Sequence, residues 1–109
     1  MKQFLTLDDL PNLDQAVNEA IALKKDPFQW EALGKNKTLG MLFFNPSLRT
    51  RLSTQKAAQN LGIKTMVMNF SNEAWAIEFE DGTQMSGLRS EHIREAAAVI
   101  SQYCDLLAI

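Results

Sequence analysis

The sequence predicts an α/β protein, an incomplete three-layer sandwich in which helices flank an open parallel sheet. Two short, nearly continuous apolar runs, at residues 39–44 and 64–70, lack the alternation of a half-solvated strand and suit strands buried on both faces. Between them Thr54, Ala57, Ala58 and Leu61 share one helical face. Strand, helix and strand at this spacing make a right-handed crossover and a parallel pair. A second helical stripe leads into a third apolar stretch at 105–109. The expected order places the first strand between the other two, so the turn after it falls at the switch point where open α/β sheets bind ligands.

The elements follow in order. Leu7, Asp8, Asp9 and Leu10 suit a helical turn closed by Pro11. Asn12 suits the N-cap of a helix carrying Leu13, Val17, Ala20 and Ile21 on one side, with Asp14 in its first turn and Lys24 and Lys25 in its last. Asp26 and Pro27 stop it. Trp30, in the short segment before Gly34, is assigned to covering the core. Asn45 and Pro46 break the first strand, a helix is expected from Thr50, and Gly62 is placed to end it in a left-handed cap. Met41, Met66 and Met68 read as core filler rather than metal ligands.

Residues 71–90 are the least regular part of the chain. Ile77, Glu78, Phe79 and Glu80 alternate before Asp81 and Gly82, a hairpin signal, and a polar, glycine-bearing loop of this length points to chemistry or mobility. Read from these residues alone, Trp75 is a hairpin packing residue. Ser90 is expected to cap a helix with Glu91 and His92 in its first turn and Ile93, Ala96, Ala97, Ile100 and Cys104 along its apolar stripe. His92 reads as a surface residue and Cys104 as a buried, inert thiol.

A chain of 109 residues with 46% apolar composition suits a single domain. Eleven basic and thirteen acidic residues give a net charge of −2, which offers no field for nucleic acid or an anionic membrane. No segment reaches transmembrane length, and the start, with Lys2, Asp8 and Asp9, lacks a signal-peptide pattern, so a cytoplasmic protein is expected. One cysteine excludes an internal disulfide. No G-x-G-x-x-G follows the first strand, which disfavours a dinucleotide.

The turn from Asn45 to Arg51 carries the chemistry. The first N–H groups of a helix lack internal partners and sit at the positive end of its dipole, so an anion is the natural occupant. Arg49 and Arg51 add charge, and Ser47 and Thr50 add hydroxyls that can donate to phosphate oxygens. Spacing alone leaves open a second reading, in which Ser47 caps the helix and both arginines are solvated. Arg51, one residue further into the helix, suits a surface or interdomain ion pair better than a ligand contact.

Phe43, Phe44, Asn45, Pro46, Ser47, Leu48, Arg49, Thr50 and Arg51 together resemble the carbamoyl-phosphate signature of the aspartate and ornithine carbamoyltransferases. Common members carry threonine where this chain has Leu48, and an apolar residue there resembles the branch acting on N-acylated ornithine. Asn72, Glu73, Ala74 and Trp75 match the loop that brings a tryptophan to the site in that branch, and Glu91 to Ala96 resemble it again. Ser90 is neither the proline of succinyl types nor the glutamate of acetyl types, while its surroundings look closer to the succinyl type.

The resemblance implies a Rossmann-like carbamoyl-phosphate domain in which Ser47, Leu48, Arg49, Thr50 and Trp75 bind carbamoyl phosphate. Arg49 and Thr50 would assist transfer to an N-acylornithine, in arginine biosynthesis, without metal or cofactor. It also implies a homotrimer in which Trp75 serves a neighbouring subunit. Residues 1–109 would form the amino-terminal part of that domain, truncated before the amino-acid-binding second domain. Ornithine as acceptor, or a non-catalytic phosphate-binding or assembly module, are the rival readings.

Overall fold

The computed structural model describes residues 3–70, 77–78 and 91–109. Leu7–Asp9 form a 3-10 turn whose Asp9 carboxylate accepts the N–H groups of Leu5 at 2.7 Å and Thr6 at 3.0 Å. Helix α1 spans Leu13–Lys25, and Asn12 caps it by accepting the Gln15 N–H at 2.9 Å. The helix forms as its periodicity predicts, yet none of its residues is buried: Leu13, Val17 and Ile21 are 53%, 49% and 49% exposed. Local spacing and capping suffice to specify the helix, but the described chain brings nothing to cover its apolar stripe.

A second 3-10 turn, Glu31–Gly34, begins at the half-buried Trp30 and leads into the sheet. The Gly34 N–H donates to the Leu61 carbonyl at 2.9 Å, and a Cβ on Gly34 would lie 2.2 Å from that same oxygen. Only glycine lets the two backbones approach this closely.

Strand β1, Thr38–Phe43, pairs in parallel with β2, Lys64–Asn69, on one side and with β5, Leu106–Ala108, on the other. The order β2-β1-β5 is the one expected. The register sets Thr38 opposite Lys64 and Phe43 opposite Asn69. Met41 and Leu42 are buried in the central strand, with Ala58 and Ala96 contributed by the helices. At the amino-terminal edge of the sheet the Asp105 carboxylate accepts the Thr38 N–H at 2.9 Å and pairs with Lys37 at 3.0 Å, which fixes where β5 joins β1.

Helix α2 runs from Leu48 to Asn60, starting two residues before the expected Thr50. It ends as predicted: Gly62 has φ +73°, its N–H reaches the Gln59 carbonyl at 3.0 Å, and the Ile63 N–H reaches Ala58 at 2.9 Å. This pair of bonds is a Schellman motif. Helix α3 spans Ile93–Tyr103. Successive strand side chains point to opposite faces, so Met66, Met68 and Phe70 face one way and Asn69 the other. The first three line a cavity of about 240 Å³ with Val99, Tyr103 and Cys104 of the α3 segment, whereas Asn69 meets Arg51 of α2. The two helices therefore cover opposite faces.

Ile77–Glu78, β3, pairs in parallel with Glu91–His92, β4. The same pairing holds Glu91 and His92 extended, a departure from the expected first helical turn, and α3 begins at Ile93 rather than at Glu91. The hairpin turn itself and Ser90 lie outside the described residues. Met66 is 47% exposed and Cys104 only half-buried, because the cavity between β2 and α3 is not filled to core density. Leu106 and Leu107 are 49% and 46% exposed. Being neighbours in a strand they face opposite ways, so both faces of the sheet are open at β5. No helix among the described residues is long and apolar enough to cross a membrane.

Candidate functional site

The chain leaves β1 at Phe43, turns through Asn45 and Pro46, and enters α2 at Leu48. This turn lies at the carboxyl ends of β1 and β2, the end of the sheet opposite the Lys37–Asp105 pair. Phe44 and Phe70 stack just beyond the two strands, with ring centroids 5.2 Å apart and planes inclined by 21°, and so support the base of the turn.

Ser47 occupies the N-cap position, but its side chain makes no capping bond. The first helical bond runs from the Arg51 N–H to the Ser47 carbonyl at 3.1 Å, which leaves the N–H groups of Leu48, Arg49 and Thr50 without intrahelical acceptors. Arg49 and Thr50 are exposed beside them, and neither side chain has a polar partner among the described residues. Leu48 is 71% exposed. Three N–H groups, two hydroxyls and one guanidinium thus belong to the first turn, at the positive end of a thirteen-residue helix, with no acceptor recorded for them among the described residues.

Arg51 behaves differently. Its guanidinium donates to Asn69 Oδ1 and lies 4.9 Å from the centroid of the Phe43 ring. The expected ion pair is absent among the described residues. The side chain points to the sheet, where the end of β2 offers a neutral amide and the end of β1 an aromatic face. Phe43, Asn45, Pro46, Arg51 and Asn69 line a cleft of about 150 Å³. Asn69 escaped the sequence reading, although a polar residue near the carboxyl end of an apolar strand is a signal that could have marked it.

Trp75 lies outside the described residues. Among those described, no group of three or more His, Cys, Asp or Glu is arranged to hold a metal. The Asp105 carboxyl is held below its ordinary value of 3.8, first by the Thr38 N–H and then by Lys37, and it stands at the far edge of the sheet, away from the turn.

Fold and turn together define an open parallel α/β domain with an anion-receptive helix start at its switch point. Residues 2–109 match the family described as aspartate/ornithine carbamoyltransferase, carbamoyl-P binding domain, and the chain belongs to that family. It is 49% identical over its whole length to the N-succinylornithine carbamoyltransferase of Bacteroides thetaiotaomicron, of which it covers 34%. It is 38% identical, again over its whole length, to the N-acetylornithine carbamoyltransferase of Xanthomonas campestris, of which it covers 32%. A crystal structure of an N-acetyl-L-ornithine transcarbamylase mutant with carbamyl phosphate and N-succinyl-L-norvaline superposes with a TM-score of 0.84 at 39% identity, covering 98% of this chain and 32% of that one. The chain spans about a third of the length of these relatives.

Proposed function

We propose that the protein of which this chain forms the amino-terminal third transfers the carbamoyl group of carbamoyl phosphate to the δ-amine of an N-acylornithine. The products are an N-acylcitrulline and inorganic phosphate. The observation that carries the reading is the uncapped first turn of α2, where Ser47, Arg49, Thr50 and three backbone N–H groups are unengaged within a matched carbamoyl-phosphate domain.

In this reading the neutral amine attacks the carbonyl carbon to form the C–N bond, the C–O bond to phosphate breaks, and the proton lost by the amine leaves with the phosphate. No covalent enzyme intermediate is required, so the protein orients the reactants and stabilises charge that grows on the carbonyl oxygen and the departing phosphate. Ser47 and the N–H groups of Leu48, Arg49 and Thr50 hold phosphate oxygens. The Arg49 fork neutralises the phosphate. Thr50 reaches the carbonyl oxygen as well, and Trp75 donates its indole N–H to phosphate from a neighbouring subunit of a trimer.

N-succinylornithine is favoured over N-acetylornithine as acceptor. The identity of 49% and 48% to two Bacteroides N-succinylornithine enzymes, against 38% to the Xanthomonas N-acetylornithine enzyme, supports this choice. Such a reaction would serve arginine biosynthesis in the cytoplasm. The test is ureido-product formation by the full-length protein with carbamoyl phosphate and, separately, N-succinylornithine, N-acetylornithine, ornithine and aspartate. Turnover confined to N-succinylornithine is expected. Preference for ornithine or aspartate overturns the branch, and phosphate binding without turnover on any acceptor overturns the enzyme reading in favour of a binding module.

A further inference from the structure

Arg49 and Arg51 are two residues apart on one helix, which turns their side chains about 200° from each other. Arg49 is exposed beside the free N–H groups, while Arg51 is half-buried against the sheet. The two residues that Arg51 touches, Phe43 and Asn69, are the last register pair of the β1–β2 ladder. A single guanidinium therefore fastens the first turn of α2 to both strands at the level where the ligand turn leaves the sheet. The Arg51 backbone N–H also makes the first bond of the helix, to the Ser47 carbonyl. Side chain and main chain of one residue thus connect the strand ends to the serine of the turn.

We propose that Arg51 is a positioning residue. Held by Asn69 and Phe43, it fixes the orientation of the first turn of α2 and so the direction in which Ser47, Arg49 and the free N–H groups point. A planar guanidinium can lie over a ring and donate in its own plane to an amide oxygen at the same time, whereas a lysine ammonium offers a point charge without that fork. Asn69 serves as the acceptor through which Arg51 acts. The identity of the anion at the turn rests on the function proposed above; the positioning does not.

The test uses the full-length protein with Arg51→Lys, Asn69→Ala, their double variant and Asn69→Asp, and reads two quantities. The first, without ligand, is residue-resolved hydrogen exchange in α2. Arg51→Lys and Asn69→Ala are each expected to speed exchange at residues 51–54, the first hydrogen-bonded turn, while residues 55–60 keep parental rates. The second is steady-state kinetics: KM for carbamoyl phosphate rises roughly tenfold, as for loss of one charge-assisted hydrogen bond, with a smaller change in kcat. The double variant should be no worse than the worse single one, and Asn69→Asp, which keeps an acceptor, should move both readouts less than Asn69→Ala. Parental exchange and KM in Asn69→Ala, multiplying effects in the double variant, or acceleration spread evenly over residues 51–60 would each overturn the proposal. If the parent fails to use carbamoyl phosphate, the proposed function falls and the exchange measurement still decides the positioning role.

Discussion

Arg49 and Asp105 show how position sets the work of a charge. Arg49 stands exposed at a helix start with no protein partner among the described residues, so its charge is available to a ligand. Replacing Arg49 with alanine should remove a charge-assisted contact of about 1.5 to 3 kcal/mol. The dissociation constant for carbamoyl phosphate in the full-length protein should accordingly rise at least about tenfold, measurable by calorimetry. Asp105 is engaged instead with its own fold. Because its folded pKa is depressed by the Thr38 N–H and by Lys37, its contribution to stability is fully present above its ordinary value of 3.8 and is lost as pH falls through the depressed value. Asp105→Asn should therefore lower Tm at neutral pH, with the difference from the parent narrowing as the pH is taken below about 3.8. A difference that stays constant down the acid limb would show that the carboxylate charge has no part in holding β5 to β1.

At the scale of elements, the junction of the second 3-10 turn with α2 depends on two glycines. Gly62 has φ +73° and its missing Cβ would fall 2.3 Å from the Glu31 carbonyl oxygen, while Gly34 sits against the Leu61 carbonyl. Gly62→Ala should cost about 1 to 3 kcal/mol, read as a lowered denaturation midpoint, through both left-handed strain and backbone collision. An alanine with parental stability would mean that the cap relaxes freely. Gly62 was legible in the sequence because a glycine after a periodic apolar stripe is a local signal. Gly34 was not, because its requirement comes from a backbone nearly thirty residues away. In the same way the periodicity of α1 revealed a helix but not its setting: Leu13, Val17 and Ile21 are spaced as a core stripe and stand about half exposed.

At the scale of the whole molecule, this chain spans about a third of the length of the relatives it matches. The exposed stripe of α1 and the open faces at β5 are surfaces of the kind that packing would cover, since parallel sheets are ordinarily buried on both sides. If the site is shared between subunits, with Trp75 crossing from a neighbour, inactive Arg49→Ala and Trp75→Ala proteins should complement. A mixed oligomer would then retain some sites with both residues intact, and activity should return on dissociation and reassembly. Properly mixed oligomers without activity would show that Arg49 and Trp75 act within one subunit.

The sequence by itself determined the three strands of the main sheet and their order, the start and stop of α1, the left-handed end of α2 and the position of the β1–α2 turn at the switch point. Each of these follows from local signals: apolar runs, helical spacing, capping residues and the topology that short right-handed crossovers impose. The tertiary structure decided that Ser47 leaves its capping role unfilled, that Arg51 turns to Asn69 and Phe43, and that Glu91 and His92 pair with β3 instead of opening α3. These depend on which atoms meet across the fold. A hydroxyl, a guanidinium or a backbone N–H bonds to whatever acceptor three-dimensional packing brings within about 3 Å, and sequence spacing does not record that distance.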